Sequence, residues 1–197
     1  DFPYQFLMEN MQIQNNLIDG SLQSGIEKFI FLGSSCIYPK MAPQPLKEEY
    51  LLTNSLEPTN EWYAIAKITG VKTCQAIRKQ FNKEYVSLMP TNLYGYFDNF
   101  DLETSHVLPA MLRKFHEAKL NDNAKVTLWG SGTPMREFLF VDDLAEAVVY
   151  ALEHTLPEYL YNVGSGKDIT IKELAETIQK VTGHQGEIIW DSEKPDG

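Results

Sequence analysis

Tyr63 and Lys67 are residues whose types and spacing suggest catalysis. They lie four positions apart in a stretch, from about 60 to 82, that predicts a helix, and residues four apart share one helix face. A tyrosine hydroxyl has a pKa of about 10 and transfers protons poorly near neutral pH. A lysine ammonium beside it would lower that pKa, so the pair predicts a proton-transfer site. By itself the spacing is common, and an exposed surface pair is the alternative interpretation.

Ser34 is a second candidate, in the stretch Gly33-Ser34-Ser35-Cys36 that directly follows an apolar run at 28–33. That run predicts a strand buried on both faces, and in an open α/β sheet the carboxyl ends of strands face the ligand crevice. A hydroxyl there can donate a hydrogen bond to a substrate carbonyl, although a plain turn residue is the alternative. A serine that precedes Tyr-x-x-x-Lys by 29 positions, in strand-then-helix context, is more specific than either part.

The order of predicted elements indicates an α/β fold with a parallel sheet. Helices are predicted from 3 to about 24 and from about 60 to 82, and strands at 28–33 and 85–89. Strand, helix and strand at this spacing form the usual parallel unit. The second half predicts shorter elements. These are helices at about 105–118, 142–154 and 170–183, and strands at 125–128, 137–141, 159–163 and 187–190.

Some details of the second half come from capping patterns. Asp142 or Asp143 is the predicted N-cap of one helix, and Thr170 with Glu173 predicts a capping box for the next.

Composition limits the function classes. The formal charge of −10 argues against a general nucleic-acid or membrane-surface binder, so we expect no nucleic-acid or membrane partner. Cys36 and Cys74 fit neither a disulfide framework nor a zinc spacing, and we expect no metal. No apolar run approaches the roughly 20 residues that span a bilayer. We therefore expect a soluble, cytoplasmic protein.

Four sequence blocks carry a specific resemblance: 32–40 (LGSSCIYPK), 56–61 (LEPTNE), 89–95 (MPTNLYG) and 129–138 (WGSGTPMREF). They resemble the extended short-chain dehydrogenase/reductase family, and within it the branch that converts GDP-4-keto-6-deoxymannose to GDP-L-fucose. The resemblance implies a partial Rossmann fold, a doubly wound parallel sheet, with part of a small α+β substrate-binding domain. Residues 1–100 would form the carboxyl-terminal part of the NADP-binding Rossmann domain and hold the catalytic residues. Residues 101–197 would be mainly substrate-binding, with about 137–155 returning to the first domain. It also implies that the chain is a fragment lacking the Gly-rich N-terminal motif and the C-terminal tail of that family.

The resemblance assigns roles to residues of this chain. It implies epimerisation at C3 and C5 of the keto-sugar, followed by NADPH-dependent reduction at C4. The implied catalytic residues are Ser34, Tyr63, Lys67, Cys36 and His106. Those implied to contact NADP(H) are Ser34, Lys67, Pro90, Asn92, Leu93 and His106.

The substrate, a GDP-sugar, would be held by four residues from the second half of the chain, namely Lys114, Trp129, Arg136 and Asp196. Arg136 fits this role best, because a guanidinium makes a permanently charged, bidentate contact with a diphosphate. The family also implies a homodimer through the helices at 3–24 and 60–82. Two alternatives stay open: another nucleotide-sugar dehydratase or epimerase of the same fold, or a truncated, inactive module.

Overall fold

The computed structural model describes residues 2–122 and 125–196 and divides into two compact units. The first unit comprises Asp1–Thr91 and Asp142–Gly164. The second comprises Asn92–Val141 and Ser165–Gly197. The chain therefore leaves the first unit after Thr91, returns to it at Asp142 and leaves it again after Gly164.

The first unit is built on a parallel sheet of three strands, β1 (Lys28–Leu32), β2 (Glu84–Pro90) and β6 (Leu160–Val163), in the order β1-β2-β6. The central strand β2 is buried at every position except its first. In contrast, β1 is largely half-buried and ends in an exposed Leu32. The predicted packing on both faces is present, since Phe29 and Phe31 pack in one core cluster and Ile30 packs against another. The strand is less buried than predicted, because among the described residues it pairs only with β2 and lies at the edge of the sheet.

Helices cover both faces of this sheet. Against one face, α1 (Pro3–Gln23) and α2 (Glu61–Phe81) contribute to a core that contains Tyr85 and Met89 of β2. Val86 and Leu88, the alternate residues of the same strand, pack on the other face with Ala151 of α4 (Val141–Glu153). Because successive side chains of a strand point to opposite faces, a strand buried on both faces needs this double cover. The predicted α/β fold with a doubly wound parallel sheet is confirmed.

A glycine lets α2 approach β1 closely. A Cβ at Gly70 would lie 2.8 and 2.9 Å from two ring carbons of the buried Phe31, closer than such atoms pack. The two helices on this face are also joined by a buried hydrogen bond, in which Gln14 Nε2 donates to the carbonyl oxygen of Ala66 at 2.7 Å. These contacts set the distance between α2 and the sheet.

The second unit contains two smaller sheets. In one, β5 (Met135–Phe140) pairs in parallel with β3 (Asn92–Tyr94) and antiparallel with β7 (Asp168–Thr170). In the other, β4 (Lys125–Trp129) and β8 (Glu187–Asp191) are parallel. The strands share an apolar core with α3 (Val107–Leu120) and α5 (Ile171–Thr182).

The helix ends test the predicted caps. Thr170 Oγ1 accepts from the backbone N–H of Glu173, whose carboxylate accepts from the backbone N–H of Thr170, which confirms the capping box of α5. The predicted N-cap at Asp142 or Asp143 is wrong, because both residues lie inside the first turn of α4. There their carboxylates still face the positive end of the helix dipole. None of the described helices combines the length and apolarity required to cross a membrane.

Substituting Gly70→Ala tests the close packing of α2 on β1. Alanine is favoured over glycine inside a helix by about 1 kcal/mol, whereas an extra methyl group in a packed core costs about 1–3 kcal/mol. We therefore expect the free energy of unfolding in urea to fall. Gly20→Ala in α1 is the matched control, because a Cβ there meets nothing within 4 Å. That control should gain about 0.5–1 kcal/mol. Equal stabilisation by both substitutions would contradict the packing.

Candidate active site

The segment from Ser34 to Tyr38 follows β1 and forms a single 3-10 turn over 35–37. Ser34 Oγ accepts a hydrogen bond from the backbone N–H of Cys36 at 3.4 Å. Before the turn, the N–H of Gly33 donates to the carbonyl oxygen of Leu88 at 2.9 Å, which ties the start of the segment to β2. A side chain at Gly33 would overlap the end of Met89. The backbone therefore passes directly over the carboxyl end of β2.

Tyr63 and Lys67 share one face of α2, as their spacing predicts. The Nζ atom of Lys67 lies 5.6 Å from the centre of the Tyr63 ring and 5.1 Å from that of Phe31. It donates a hydrogen bond to the carbonyl oxygen of Leu32 at 2.9 Å. Because Leu32 ends β1 and precedes Gly33, this contact places Lys67 of α2 next to the segment that carries Ser34.

Burial sets the protonation of this group of residues. It raises the pKa of the Tyr63 hydroxyl, and the nearby Cys36 raises it further. It also lowers the pKa of the Lys67 ammonium, which Cys36 partly offsets. The prediction that Lys67 lowers the pKa of Tyr63 is therefore wrong for this structure. The physical reason is that the ammonium is directed at the Leu32 carbonyl and lies over the tyrosine ring.

Cys36 is half-buried and belongs to the same group. Burial raises the pKa of its thiol, while the Ser34 side chain and the charge of Lys67 act in the opposite direction. The other free thiol, Cys74, is fully buried, and its pKa is raised to about 12 by burial. The structure thus brings together Ser34, Cys36, Tyr63 and Lys67 within the first unit.

The remaining predicted cofactor residues fall in both units. Pro90 ends β2 in the first unit. Asn92 and Leu93 are exposed residues of β3 in the second unit, and Asn92 Nδ2 donates to the carbonyl oxygen of Glu137. His106 is exposed at the N-cap of α3, where its side chain makes no capping hydrogen bond. Their predicted roles stay predictions.

The four predicted substrate residues line one cavity of about 510 Å³ in the second unit. Its floor includes the apolar side chains of Met111 and Leu128, and its polar lining includes Lys114, Trp129, Arg136 and Asp196. The Trp129 indole is 61% exposed. The ammonium groups of Lys114 and Lys194 lie 5.9 and 5.6 Å from its ring centre. An aromatic face with cations beside it suits a planar, phosphorylated ligand.

Asp196 contacts the protein itself. Its carboxylate accepts from the Ser131 backbone N–H at 2.6 Å and from the Ser131 hydroxyl at 2.9 and 3.0 Å. A side chain at Gly130 would overlap this carboxylate. Ser105 also lines the cavity, and its buried hydroxyl has no hydrogen-bond partner among the described residues. Ser131 and Lys194 lie beside the cavity through their contacts with Asp196 and Trp129. The distinctive 129–138 block pointed to Ser131, whereas no sequence signal pointed to Ser105 or Lys194.

No group of three or more His, Cys, Asp or Glu residues in the described part of the chain is arranged to hold a metal ion. The predicted site residues supply hydroxyls, a thiol, an imidazole, ammonium groups, an indole and a guanidinium. In the first unit these are hydrogen-bond donors and proton carriers that suit a ribose, an amide and a carbonyl group. In the second unit they are cations and an aromatic face.

Comparison with known proteins gives a consistent result. The chain is 57% identical over 196 residues to GDP-L-fucose synthase 1 of Arabidopsis thaliana, covering all of this chain and 61% of the relative. It is 52% identical over 205 residues to the GDP-L-fucose synthase of Escherichia coli, covering 64% of that relative. The structure of a GDP-L-fucose synthetase from Naegleria fowleri bound to NADP matches all of this chain and 63% of that one, with a TM-score of 0.90 and 27% identity.

These relatives are longer than this chain, which spans about 60% of the length of the curated relatives it matches. The family model for NAD dependent epimerases and dehydratases matches residues 1–164, well over half of the chain. That match covers the whole Ser34, Cys36, Tyr63 and Lys67 group and most of the cavity of the second unit. The chain belongs to the NAD dependent epimerase/dehydratase family.

Proposed function

We propose that the protein carrying this sequence converts GDP-4-keto-6-deoxymannose to GDP-L-fucose, by epimerisation at C3 and C5 and NADPH-dependent reduction at C4. Relatives at 52–57% identity along the chain are named GDP-L-fucose synthases, which supports this choice of reaction. The observation that carries the proposal is the convergence of Ser34, Cys36, Tyr63 and Lys67 at the carboxyl end of β1.

The residues of the first unit fit the nicotinamide half of NADP(H). Lys67 offers an ammonium for ribose hydroxyls, and Ser34 offers a hydroxyl donor within the same group. The Naegleria fowleri structure named above has NADP bound, which supports this cofactor. When bound, NADPH supplies a hydride to the C4 carbon. Pro90 of the first unit and Asn92 and Leu93 of the second stay predicted cofactor residues.

Reduction requires a proton donor for the C4 oxygen, and Tyr63 is suited to that role. Because burial and the neighbouring Cys36 raise the pKa of its hydroxyl, Tyr63 is protonated at neutral pH and acts as the acid. Ser34 donates a hydrogen bond to the same oxygen and stabilises its developing negative charge. Lys67 holds this arrangement by its contact with the Leu32 carbonyl and keeps a positive charge nearby.

Epimerisation requires a base, because protons on C3 and C5 become acidic next to the C4 ketone. Cys36 is the proposed base: burial raises the pKa of its thiol, and the Ser34 side chain and the charge of Lys67 oppose that rise. The thiolate removes the carbon-bound proton, and the electron pair of the broken C–H bond moves into the ketone to give an enolate. Ionised Cys36 raises the pKa of Tyr63, so Tyr63 keeps its proton for the later reduction. His106, which the resemblance implies as a catalytic residue, is the proposed acid that returns a proton to the carbon.

The cavity of the second unit is the proposed site for the GDP moiety. Arg136 and Lys114 supply positive charge for the diphosphate, and the exposed Trp129 face supplies a stacking surface. The two carboxylate oxygens of Asp196 already accept hydrogen bonds from Ser131. We therefore assign Asp196 to shaping the 130–132 turn, with direct contact to the ligand only as a secondary role.

A homodimer and a cytoplasmic location are further parts of the proposal. Large apolar side chains are exposed along α1, where Phe6, Ile13 and Leu17 are 48, 62 and 60% exposed. These three residues recur at helical spacing and form one apolar stripe, which a second copy could cover. Cys36 and Cys74 are both free thiols, as expected in a reducing compartment.

Substituting Tyr63→Phe tests the proposed acid. Phenylalanine keeps the ring and removes only the hydroxyl, so we expect NADPH oxidation with the keto-sugar to fall by about 10²–10⁴-fold. Tyr161→Phe is the control, because that hydroxyl accepts a hydrogen bond from the Glu158 N–H outside the site. Turnover should be followed by NADPH absorbance. Normal turnover of Tyr63→Phe would rule out this assignment.

Substituting Cys36→Ser tests the proposed base. A serine hydroxyl ionises far less readily than a thiol, so deuterium incorporation at C3 and C5 in heavy water should fall by about 10²-fold or more. Hydride transfer to C4 should be less affected. Cys74→Ala serves as the control for thiol loss elsewhere. An equal loss of both steps in Cys36→Ser would argue against a proton-transfer role.

The dimer is tested by Leu17→Glu, measured by sedimentation equilibrium. A carboxylate placed in an apolar interface loses its hydration without gaining a partner, so the dimer should dissociate. Val181→Glu provides the control, since Val181 is 75% exposed on α5 in the second unit. A monomer in the unaltered protein would contradict the proposed interface.

A further inference from the structure

The segment that carries Ser34 and Cys36 is anchored at both of its ends. At its start, the Gly33 N–H donates to Leu88 of β2. At its end, the buried ring of Tyr38 packs in the main core of the first unit, where the residue is 4% exposed. The Tyr38 hydroxyl donates to Asn162 Oδ1 at 2.5 Å. Because Asn162 belongs to β6 and the strand order is β1-β2-β6, the segment crosses the end of the central strand.

Asn162 uses three of its polar groups to hold this region. Its Oδ1 accepts from Tyr38, and its Nδ2 donates to the carbonyl oxygen of Leu46 at 3.0 Å. Its backbone N–H donates to Glu48 Oε1 at 2.8 Å. Leu46 and Glu48 lie in the Pro-rich loop that connects the serine segment to α2. One side chain therefore joins the end of the catalytic segment to the loop that follows it.

The direction of these hydrogen bonds follows from the groups involved. A backbone carbonyl can only accept, so the amide nitrogen of Asn162 must face Leu46. The amide oxygen then faces Tyr38, which must donate. Aspartate at 162 would lose the donor and place a second carboxylate near Glu48, and leucine would lose both contacts. An amide of this length is the group that satisfies both partners.

We propose that Tyr38 and Asn162 are positioning residues that hold Ser34 and Cys36 in place at the carboxyl end of the sheet. The proposal rests on the proposed function for the roles of Ser34 and Cys36. The 3-10 turn links Tyr38 to the two serines, because the Ile37 N–H donates to the Ser34 carbonyl at 3.2 Å and the Tyr38 N–H donates to the Ser35 carbonyl at 3.3 Å. Losing the Tyr38 hydroxyl removes the link to β6 while the ring and Ile37 stay packed in the core, so the turn loosens and the Cys36 thiol becomes more accessible to water.

The test is the alkylation of Cys36 by iodoacetamide in the chain itself, followed by mass spectrometry across a pH series. In Tyr38→Phe we expect the rate at neutral pH to rise about fivefold, the factor by which one lost hydrogen bond shifts an opening equilibrium. The midpoint of the pH–rate profile should fall, since burial raises the pKa of this thiol. An unchanged rate and midpoint would overturn the proposal.

Two controls separate positioning from general loosening. Cys74 is fully buried, so its alkylation reports global opening, and an equal rise at both cysteines would also overturn the proposal. Tyr85→Phe removes another buried hydroxyl, which donates to the Ile26 carbonyl at the opposite end of the sheet. Tyr85→Phe should leave the pH–rate profile of Cys36 alkylation unchanged. An alkylation rate raised as much as in Tyr38→Phe would overturn the proposal, because the effect would then not be specific to Tyr38.

Asn162→Ala provides the second variant, because this exposed side chain can be removed without opening the core. It should reproduce the Tyr38→Phe profile, and the double variant should show less than the product of the two effects if both act through one hydrogen bond. Independent, multiplying effects would contradict a shared anchor. Labelling does not depend on turnover, so a failed turnover assay in the unaltered protein would count against the proposed function alone.

Discussion

The close packing of α2 on β1 is the contact on which the candidate active site depends. Residue 70 is a glycine, so the Phe31 ring occupies the space that a Cβ would otherwise take. The same ring lies under the Lys67 ammonium, which reaches the last carbonyl of β1. A larger residue at position 70 would move the helix, and with it Tyr63 and Lys67, relative to Ser34. Helix and strand packing thus controls the geometry of the reacting groups.

Burial shifts the pKa values of Cys36, Tyr63 and Lys67 more than the charges of neighbouring residues do. It raises the pKa values of Cys36 and Tyr63 and lowers that of Lys67, so each group is biased toward its neutral form. The two acids differ in what opposes this bias. Cys36 has the Ser34 side chain and the Lys67 charge in its favour, whereas Tyr63 has no such compensation and is further opposed by Cys36. This asymmetry suits a thiol that gives up its proton before the phenol does.

The second unit shows how a local group of charges can differ from the whole chain. The formal charge of the protein is −10, yet Lys114, Lys194 and Arg136 lie in or beside the cavity around Trp129. An anion entering that cavity meets these cations at short range, while the distant carboxylates are screened by solvent and salt. Net charge therefore argues against general polyanion binding without excluding a phosphorylated ligand. The carboxylate of Asp196 accepts hydrogen bonds from the backbone N–H and the hydroxyl of Ser131.

The sequence by itself determined the features that depend on neighbours along the chain. Helical spacing placed Tyr63 and Lys67 on one face of α2, and the Thr170–Glu173 pattern identified the capping box of α5, because both depend on contacts within one turn. Only the tertiary structure decided which partner a side chain meets. The Lys67 ammonium contacts Leu32, 35 positions away, and Tyr38 contacts Asn162, 124 positions away. The three-residue strands β3 and β7 were also missed, because they are defined by pairing with β5 and leave no periodic signal. Burial and hydrogen-bond partners come from residues distant in sequence, so pKa values and anchoring contacts emerge only once the chain has folded.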